Sequence, residues 1–309
     1  MHPSFSEIRV GDPMRCEALT VFPLFSERSL LDRTPDYVLG HDAIEAKTVV
    51  VCEVSEQGDV PFLMVDNVGE SNVLFLEGSE LRGAKQHRML NTTALLGRGR
   101  TRIPVACVEH GRWRHESQSF RPGSHCPPSL RHLLKRTAGS SGCGSEQIAV
   151  WAEIRRKHHA LGVTSTTDDL SAALETHRER VEEARKRLPY PASANGVAVA
   201  FGGVLVSIDI LDKPATLEKV WGKMTQGLAM DALEVGEAGP EITGTEVSAA
   251  ISRFRRADWQ QVEAVALGEE FRTGEDVMPG SALFFEGELL HAAWLPGCPG
   301  HGDGSSQVV

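Results

Sequence analysis

Strand-like runs occupy both ends of this 309-residue chain, and two helical segments separate them. β-branched and apolar residues mark the runs, which are residues 18–24, 48–54, 61–65, 72–77 and 103–109 before the helices and residues 196–201, 204–211 and 282–295 after them. Residues 146–161 and 168–188 instead carry apolar residues at helical spacing. Strands first, helices inserted and strands again predict an α+β fold with mainly antiparallel sheet, because regular βαβ alternation is missing.

Turn and helix-cap signals predict further secondary-structure elements in the second half of the chain. Gly202-Gly203 lies between two strand-like runs and predicts a hairpin. Pro214 suits the first position of a helix that continues through Leu233. Thr243, with Glu246 three residues later, has the spacing of a capping box and predicts another helix start.

The length suits one large domain, which we predict over residues 16–296. Residues 1–15 are polar and residues 297–309 are rich in glycine, so both ends are predicted to be flexible. Residues 117–145 are rich in Ser, Pro, Gly and Arg without a sustained period, which predicts an exposed loop.

A short internal similarity bears on the architecture. LFLEGSEL at residues 74–81 resembles LFFEGELL at residues 283–290, and each places Glu-Gly after an apolar triplet. Two such units could form the halves of an internally duplicated fold. Eight residues also recur by chance in strand-rich chains, so both interpretations stay open.

Composition excludes several classes of partner. A net charge of −10 disfavours broad nucleic-acid binding and binding to anionic membranes, although a local cationic pocket for a small anion remains compatible with it. Apolar runs fall well short of the roughly 20 residues that a membrane span needs. The N-terminus has no export signal and the cysteines have no repeated spacing, so a cytoplasmic protein with free thiols is expected.

The stretch from Val73 to Trp113 concentrates polar groups between short strands and is the predicted site. Its candidate acid/base residues are Glu77, Glu80 and Glu109. Its candidate substrate-binding residues are Lys85, Gln86, Arg88, Asn91, Arg112 and Trp113. Lys and Arg would hold a phosphate while a carboxylate holds a ribose hydroxyl or a water, and neighbouring glycines permit close backbone approach. On an exposed rim the same charges would be solvated ion pairs.

Other residues near this stretch leave alternatives open. Cys107 could be a nucleophile, although a buried strand cysteine is more often inert. A divalent cation could be held by the carboxylates with His110, but no HExxH or CxxC spacing occurs here, so metal and cofactor use is not determined. Asp209 and Asp212 either complete the pocket or cap the following helix.

Three segments carry a family resemblance: FLEGSELRGAKQHRMLNTT, IPVACVEHGRW and GVAVAFGGVLVSIDILDKPATLEKVWGKM. They resemble the ARG and Rhodanese-Phosphatase-superfamily-associated protein domain family from about residue 18 to residue 295. His87 departs from the asparagine that the motif leads us to expect, and it adds a titrating group near neutral pH. The resemblance implies a link to ADP-ribose and phosphatase chemistry by genomic association, which is not a mechanism.

Two functions follow from these observations. The first is a hydrolase or transferase that acts on a nucleotide-like small molecule related to ADP-ribose or NAD. The second is a noncatalytic module that binds such a ligand, or a partner protein, in a bacterial stress or defence system. Convergence of the charged side chains in a partly buried cleft would favour ligand binding, and a perturbed glutamate pKa would add weight to catalysis.

Overall fold

A computed structural model describes residues 3–26, 35–137, 144–236, 239–273 and 279–297. Its strands are β1 (Ile8–Val10), β2 (Met14–Cys16), β3 (Leu19–Ser26), β4 (Val38–Leu39), β5 (Val49–Glu53), β6 (Phe62–Asn67), β7 (Val73–Phe75), β8 (Ser79–Gly83), β9 (Arg88–Leu90), β10 (Ala94–Leu96), β11 (Gly99–Cys107), β12 (Phe120–His125), β13 (Gly196–Phe201), β14 (Val204–Leu211), β15 (Trp259–Val262), β16 (Glu269–Thr273), β17 (Gly280–Phe285) and β18 (Glu288–Trp294). Its helices are α1 (Gly40–Glu45), α2 (Pro128–Thr137), α3 (Gly144–Ala160), α4 (Ser171–Thr176), α5 (Arg178–Arg187), α6 (Pro214–Val235) and α7 (Gly244–Arg255).

The largest sheet joins the N-terminal strands to the C-terminal half of the chain. Its order is β1-β3-β13-β14-β18-β17-β16-β15, and β2 pairs with β3 outside that path. Every pairing in this sheet is antiparallel. The predicted α+β fold with mainly antiparallel sheet is confirmed.

Both faces of this sheet are covered, which explains why β13 is apolar at nearly every position. Val197, Val199 and Phe201 face the core under α6, whereas Ala198 and Ala200 face the core under α7. This alternation follows from the two-residue period of a strand. The predicted hairpin forms between β13 and β14, and Thr243 and Glu246 form the predicted capping box of α7.

Two smaller sheets carry the predicted site. One has the order β12-β8-β9-β11-β6-β5, and the other has the order β10-β7-β4. Val105 packs with the core of these sheets, while Ala106 and Val108 pack towards α2 and α3, so successive side chains near the end of β11 alternate between two cores.

The prediction of an exposed loop over residues 117–145 is wrong for residues 120–137, which form β12 and α2 with a short connection. β12 pairs with β8, and α2 buries Leu130 and Leu134 against α3. The segment has few apolar residues, yet it is packed into the protein. Its polar residues Ser129 and Arg131 are buried because they form hydrogen bonds and ion pairs with distant residues. The helix predicted over residues 168–188 is divided into α4 and α5 at His177.

The prediction that residues 1–15 are flexible is also wrong for residues 3–15, the part of this segment that the structure describes. β1 and β2 pair with β3, and Phe5 is buried against Phe254 and Trp259. The buried Phe5 and the short strands β1 and β2 therefore belong to the edge of the largest sheet. Of the predicted C-terminal tail, only Gly297 is described, and residues 298–309 lie outside the described residues.

The two segments of similar sequence have different strand arrangements. Residues 283–290 lie within the β17–β18 hairpin, where Glu286 and Gly287 have positive φ. Residues 74–81 instead pass from β7 to β8, which belong to different sheets. The sequence similarity does not correspond to a repeated strand arrangement. A single domain over residues 16–296 stays a prediction. Within the described ranges, no helix is long and apolar enough to span a membrane.

Candidate functional site

The polar residues of the stretch 73–113 are mostly buried, but they do not converge on one recess. The buried members are Glu77, Glu80, Lys85, Gln86, Arg88, Asn91, Glu109 and Arg112. Trp113 is 47% exposed. These residues fall into separate groups, each with its own partners.

Glu77 lies in a buried ionic network, which we call the Glu77 network. Arg131 donates to Glu77 at 2.8 Å, Lys135 forms a short contact with it, and Ser281 Oγ donates to it at 3.0 Å. Arg131 also donates to both carboxylate oxygens of Asp209, at 2.9 and 2.7 Å. Burial alone would raise the pKa of Glu77, but the charges of Lys135 and Arg131 outweigh it and lower that pKa to about 2.

The two aspartates at the end of β14, Asp209 within the strand and Asp212 directly after it, have different roles. Asp209 joins the Glu77 network, where His291 Nε2 lies 3.4 Å from it. Asp212 accepts hydrogen bonds from Tyr37 at 2.6 Å and from the Thr216 hydroxyl at 3.1 Å in the first turn of α6. Asp209 therefore supports the buried network, and Asp212 holds the start of the helix.

Glu109 is neutralised by a neighbour on its own loop. Arg112 donates to its two oxygens at 2.8 and 2.6 Å, and the backbone N–H of His87 donates to it at 3.1 Å. Burial would raise the pKa of Glu109, but these hydrogen bonds outweigh burial and lower it. The carboxylate thus stays ionised near neutral pH and does not suit proton donation.

A third group lies beneath Trp113. Lys85 Nζ is 5.3 Å from the centre of the Trp113 ring, and Arg88 is 5.6 Å from it. Gln86 Oε1 accepts from Arg88 at 3.1 Å and from Cys107 Sγ at 3.1 Å. Burial raises the pKa of Cys107 to about 12, so its thiol is protonated and inert as a nucleophile.

Glu80 differs from the other two glutamates because its partners are neutral. It accepts from the backbone N–H and the hydroxyl of Ser124, both at 2.8 Å, and from the hydroxyl of Ser171 at 2.6 Å. A Cβ added at Gly123 would lie 2.3 Å from Glu80 Oε2, so a larger residue at this position of β12 would displace the carboxylate.

His87 and Asp169 lie beside Glu80. The His87 Nδ1 to Asp169 Oδ1 distance is 3.1 Å, and one ligand atom from each of the three residues lies within 4.8 Å of the others. We call these three residues the Glu80 triad. Burial lowers the pKa of His87, but the nearby carboxylates, Asp169 first, outweigh burial and raise it.

A cleft of about 450 Å³ lies near the triad, although no triad residue lines it. Its charged lining residues are Arg82, Arg121, Arg178, Arg185, Glu175 and Glu182. Ser124 and Ser171, which hold Glu80, also line it. Of the three predicted acid/base residues, Glu80 is therefore the one next to an opening in the described structure.

The predicted binding residues are not the residues that line the cleft. Lys85, Gln86, Arg88, Asn91, Arg112 and Trp113 do not line the cleft. Its arginines come from β8, β12 and α5, and Asp169 precedes α4. Arg82 belongs to the predicted motif stretch, but no local signal in the sequence associates Arg121, Arg178 or Asp169 with it.

The fold and the cleft together define the class of protein. This is an α+β protein of mainly antiparallel sheets, with an arginine-lined cleft beside a buried carboxylate and histidine group. The chain belongs to the ARG and Rhodanese-Phosphatase-superfamily-associated Protein domain family, whose model matches residues 7–295. Comparisons with curated proteins and with solved structures gave no match.

Proposed function

We propose that the protein binds a small phosphorylated, nucleotide-like molecule in the arginine-lined cleft and hydrolyses it or transfers a group from it. The observation that carries this proposal is the position of the cleft, whose lining serines hold the buried carboxylate of Glu80. Ligand pockets are typically about 300–1,000 Å³, and the cleft, at about 450 Å³, is in that range.

The charges of the cleft favour an anion. Four arginines minus two glutamates leave a formal excess of two positive charges in the lining. Arg82 contacts Glu175 at 3.3 Å and Arg185 contacts Glu182 at 2.8 Å. Among the residues that the structure describes, no carboxylate lies within 4.0 Å of the side chain of Arg121 or Arg178. Guanidinium groups bind phosphate through paired charge-assisted hydrogen bonds, so these two arginines are the primary phosphate contacts.

Glu80 is the glutamate that we assign to the chemistry. Glu77 and Glu109 are held by cations, and their lowered pKa values make them poor general acids. Glu80 contacts only neutral donors, and a shift of the Ser124 or Ser171 hydroxyl would free one of its oxygens. That oxygen would orient a water or a ribose hydroxyl for attack.

The link to ADP-ribose or NAD is the finer part of the proposal, and it rests on what the family resemblance implies. The family's own description names ARG and the rhodanese-phosphatase superfamily. A cytoplasmic location is also part of it, supported by free thiols at the described positions Cys16, Cys52, Cys107 and Cys126.

The first experiment is a thermal-shift panel of ADP-ribose, ADP, NAD and inorganic phosphate at low ionic strength, where screening is weakest. We expect at least one nucleotide to raise the melting temperature. Arg121→Ala and Arg178→Ala should each weaken that ligand about three- to tenfold, or about 0.7–1.4 kcal/mol. Arg98→Ala is the matched control, because Arg98 is exposed and pairs with Glu70 outside the cleft. Equal effects of all three variants would contradict the cleft assignment.

Product analysis then separates the two functions. If the protein is an enzyme, Glu80→Gln should abolish turnover while the ligand still stabilises the variant. A noncatalytic binding module is the second candidate, and it is favoured by the complete ionic pairing of Glu77 and Glu109. Ligand binding by the unsubstituted protein without any product would establish that second function.

A further inference from the structure

The Glu80 triad brings together side chains from three separate parts of the chain. Glu80 is on β8, His87 precedes β9, and Asp169 lies before α4. Glu80 and His87 are buried, and the Asp169 side chain is 15% exposed. Only the tertiary structure assembles this group, because His87 and Asp169 are 82 residues apart.

The distances suit a metal ion. Two ligands at about 2.1 Å from one ion lie about 3.0 Å apart at a right angle and about 3.4 Å apart in a tetrahedron. The 3.1 Å between His87 Nδ1 and Asp169 Oδ1 is already in this range. The remaining separations lie within 4.8 Å, so these ligand atoms would move closer together on binding.

A second observation concerns the charge of Glu80. In the described ranges no arginine, lysine or histidine nitrogen lies within 4.0 Å of this carboxylate, which is 2% exposed. By contrast, Glu77 contacts two cations directly and Glu109 contacts Arg112. A buried carboxylate without a directly bonded cation is costly. Arg82 contributes positive charge at 3.9 Å from Asp169, and an ion bound by the triad would add a cation in direct contact with Glu80.

The environment of His87 also suits ligation. If Nδ1 binds an ion, Nε2 carries the proton. Glu116 Oε2 lies 4.0 Å from Nε2, so Glu116 would have to move closer to accept a hydrogen bond. Metal-bound histidines commonly direct their other ring N–H to a carboxylate, which fixes the tautomer.

We propose that Glu80, His87 and Asp169 bind one first-row transition-metal dication beside the arginine-lined cleft. Two carboxylate oxygens and one imidazole nitrogen suit Mn²⁺, Fe²⁺, Co²⁺ or Zn²⁺ better than Ca²⁺ or Mg²⁺, which prefer oxygen ligands. The site deepens the proposed function and rests on it for its catalytic meaning, since the ion would lie next to the bound phosphate. The metal site itself follows from the triad alone.

The test is metal uptake by the full chain in the absence of any phosphate ligand. The protein is stripped with a chelator, dialysed separately against Mn²⁺, Co²⁺, Zn²⁺ and Mg²⁺, and analysed by elemental mass spectrometry and calorimetric titration. We expect one equivalent of a transition metal, and Co²⁺ absorption bands that report ligation. Replacing a residue that only orients a metal ligand typically weakens metal binding by roughly 10–100-fold. His87→Ala and Asp169→Asn each remove a ligand itself, so each should weaken metal binding by at least that factor.

His110→Ala is the matched control. The His110 side chain is 46% exposed, and its Nδ1 lies 4.0 Å from Asp168, so it is a histidine with a carboxylate neighbour outside the triad. It should retain full uptake. Asp169→Asn decides the outcome if His87→Ala does not fold. Substoichiometric uptake by the unsubstituted protein, or uptake unaffected by Asp169→Asn, would overturn the proposal.

The failures of the two proposals are distinguishable. Metal uptake without any stabilising nucleotide would leave the metal site standing and remove the proposed function. A nucleotide that binds the chelated protein while no metal binds would do the reverse.

Discussion

Replacing Arg131 by Met tests the buried ionic network most directly. Arg131 is 3% exposed and bridges Glu77, at 2.8 Å, and Asp209, at 2.9 and 2.7 Å. The methionine keeps much of the side-chain volume but removes the charge. Glu77 would keep Lys135 and Ser281, whereas Asp209 would keep only its 3.4 Å contact with His291 among the partners described above.

The expected cost follows from the charge that is left behind. Breaking a buried ion pair by removing one partner costs about 3–5 kcal/mol. That is a large part of a typical stability of about 5–15 kcal/mol. With a urea m-value of about 3 kcal/mol/M, the unfolding midpoint should fall by roughly 1–1.7 M.

Urea unfolding at pH 7, followed by circular dichroism, measures this change. Arg98→Met is the control, because Arg98 forms an exposed pair with Glu70 at 2.6 Å and should cost at most about 1 kcal/mol. The double variant Arg131→Met/Asp209→Asn should recover part of the loss, since the stranded charge is removed. A loss of stability below about 1 kcal/mol for Arg131→Met, or strictly additive effects in the double variant, would refute this account of the network.

Three further predictions concern single groups. The pKa of Glu77 falls from 4.5 to about 2 on folding, so its stabilisation is present above pH 4.5 and is lost as the pH falls towards 2. Between pH 7 and pH 3, the stability advantage over Glu77→Gln should shrink by about 2 kcal/mol in urea unfolding, and parallel pH profiles would contradict this. Thr243→Ala should cost about 0.5–2 kcal/mol by removing the capping box of α7, while Thr243→Ser, which keeps the hydroxyl, should cost less in the same assay. Cys107 should resist iodoacetamide in the folded protein, because burial raises its pKa to about 12. Half-buried Cys52 should react before Cys107, and labelling of Cys107 ahead of Cys52 by peptide mass spectrometry would be inconsistent with its position.

Features with local causes could be predicted from the sequence. The β13–β14 hairpin follows from Gly202-Gly203, and the start of α7 follows from Thr243 and Glu246. Alternation along β11 follows from the two-residue period of a strand. The family motifs also identified Glu80 as a candidate, because these signals lie within a few consecutive residues.

The partners of the candidate residues could not be predicted. Arg131 is 54 residues from Glu77, and Ser171 is 91 residues from Glu80. The segment 117–145 looked like a loop because it has few apolar residues, yet Phe120 is buried in β12 and Leu130 and Leu134 are buried in α2. Its folding depends on ion pairs that no local pattern contains.

The sequence alone determined the fold class, the family and the stretch that contains Glu80, since periodicity, turn residues and motifs are local properties. Tertiary structure alone decided which carboxylates are neutralised and which one borders a cleft. It placed Arg121 and Arg178 in the cleft, and it placed Asp169 beside His87. The physical reason is that burial and charge pairing depend on strand register and helix packing, which bring together residues far apart in the chain.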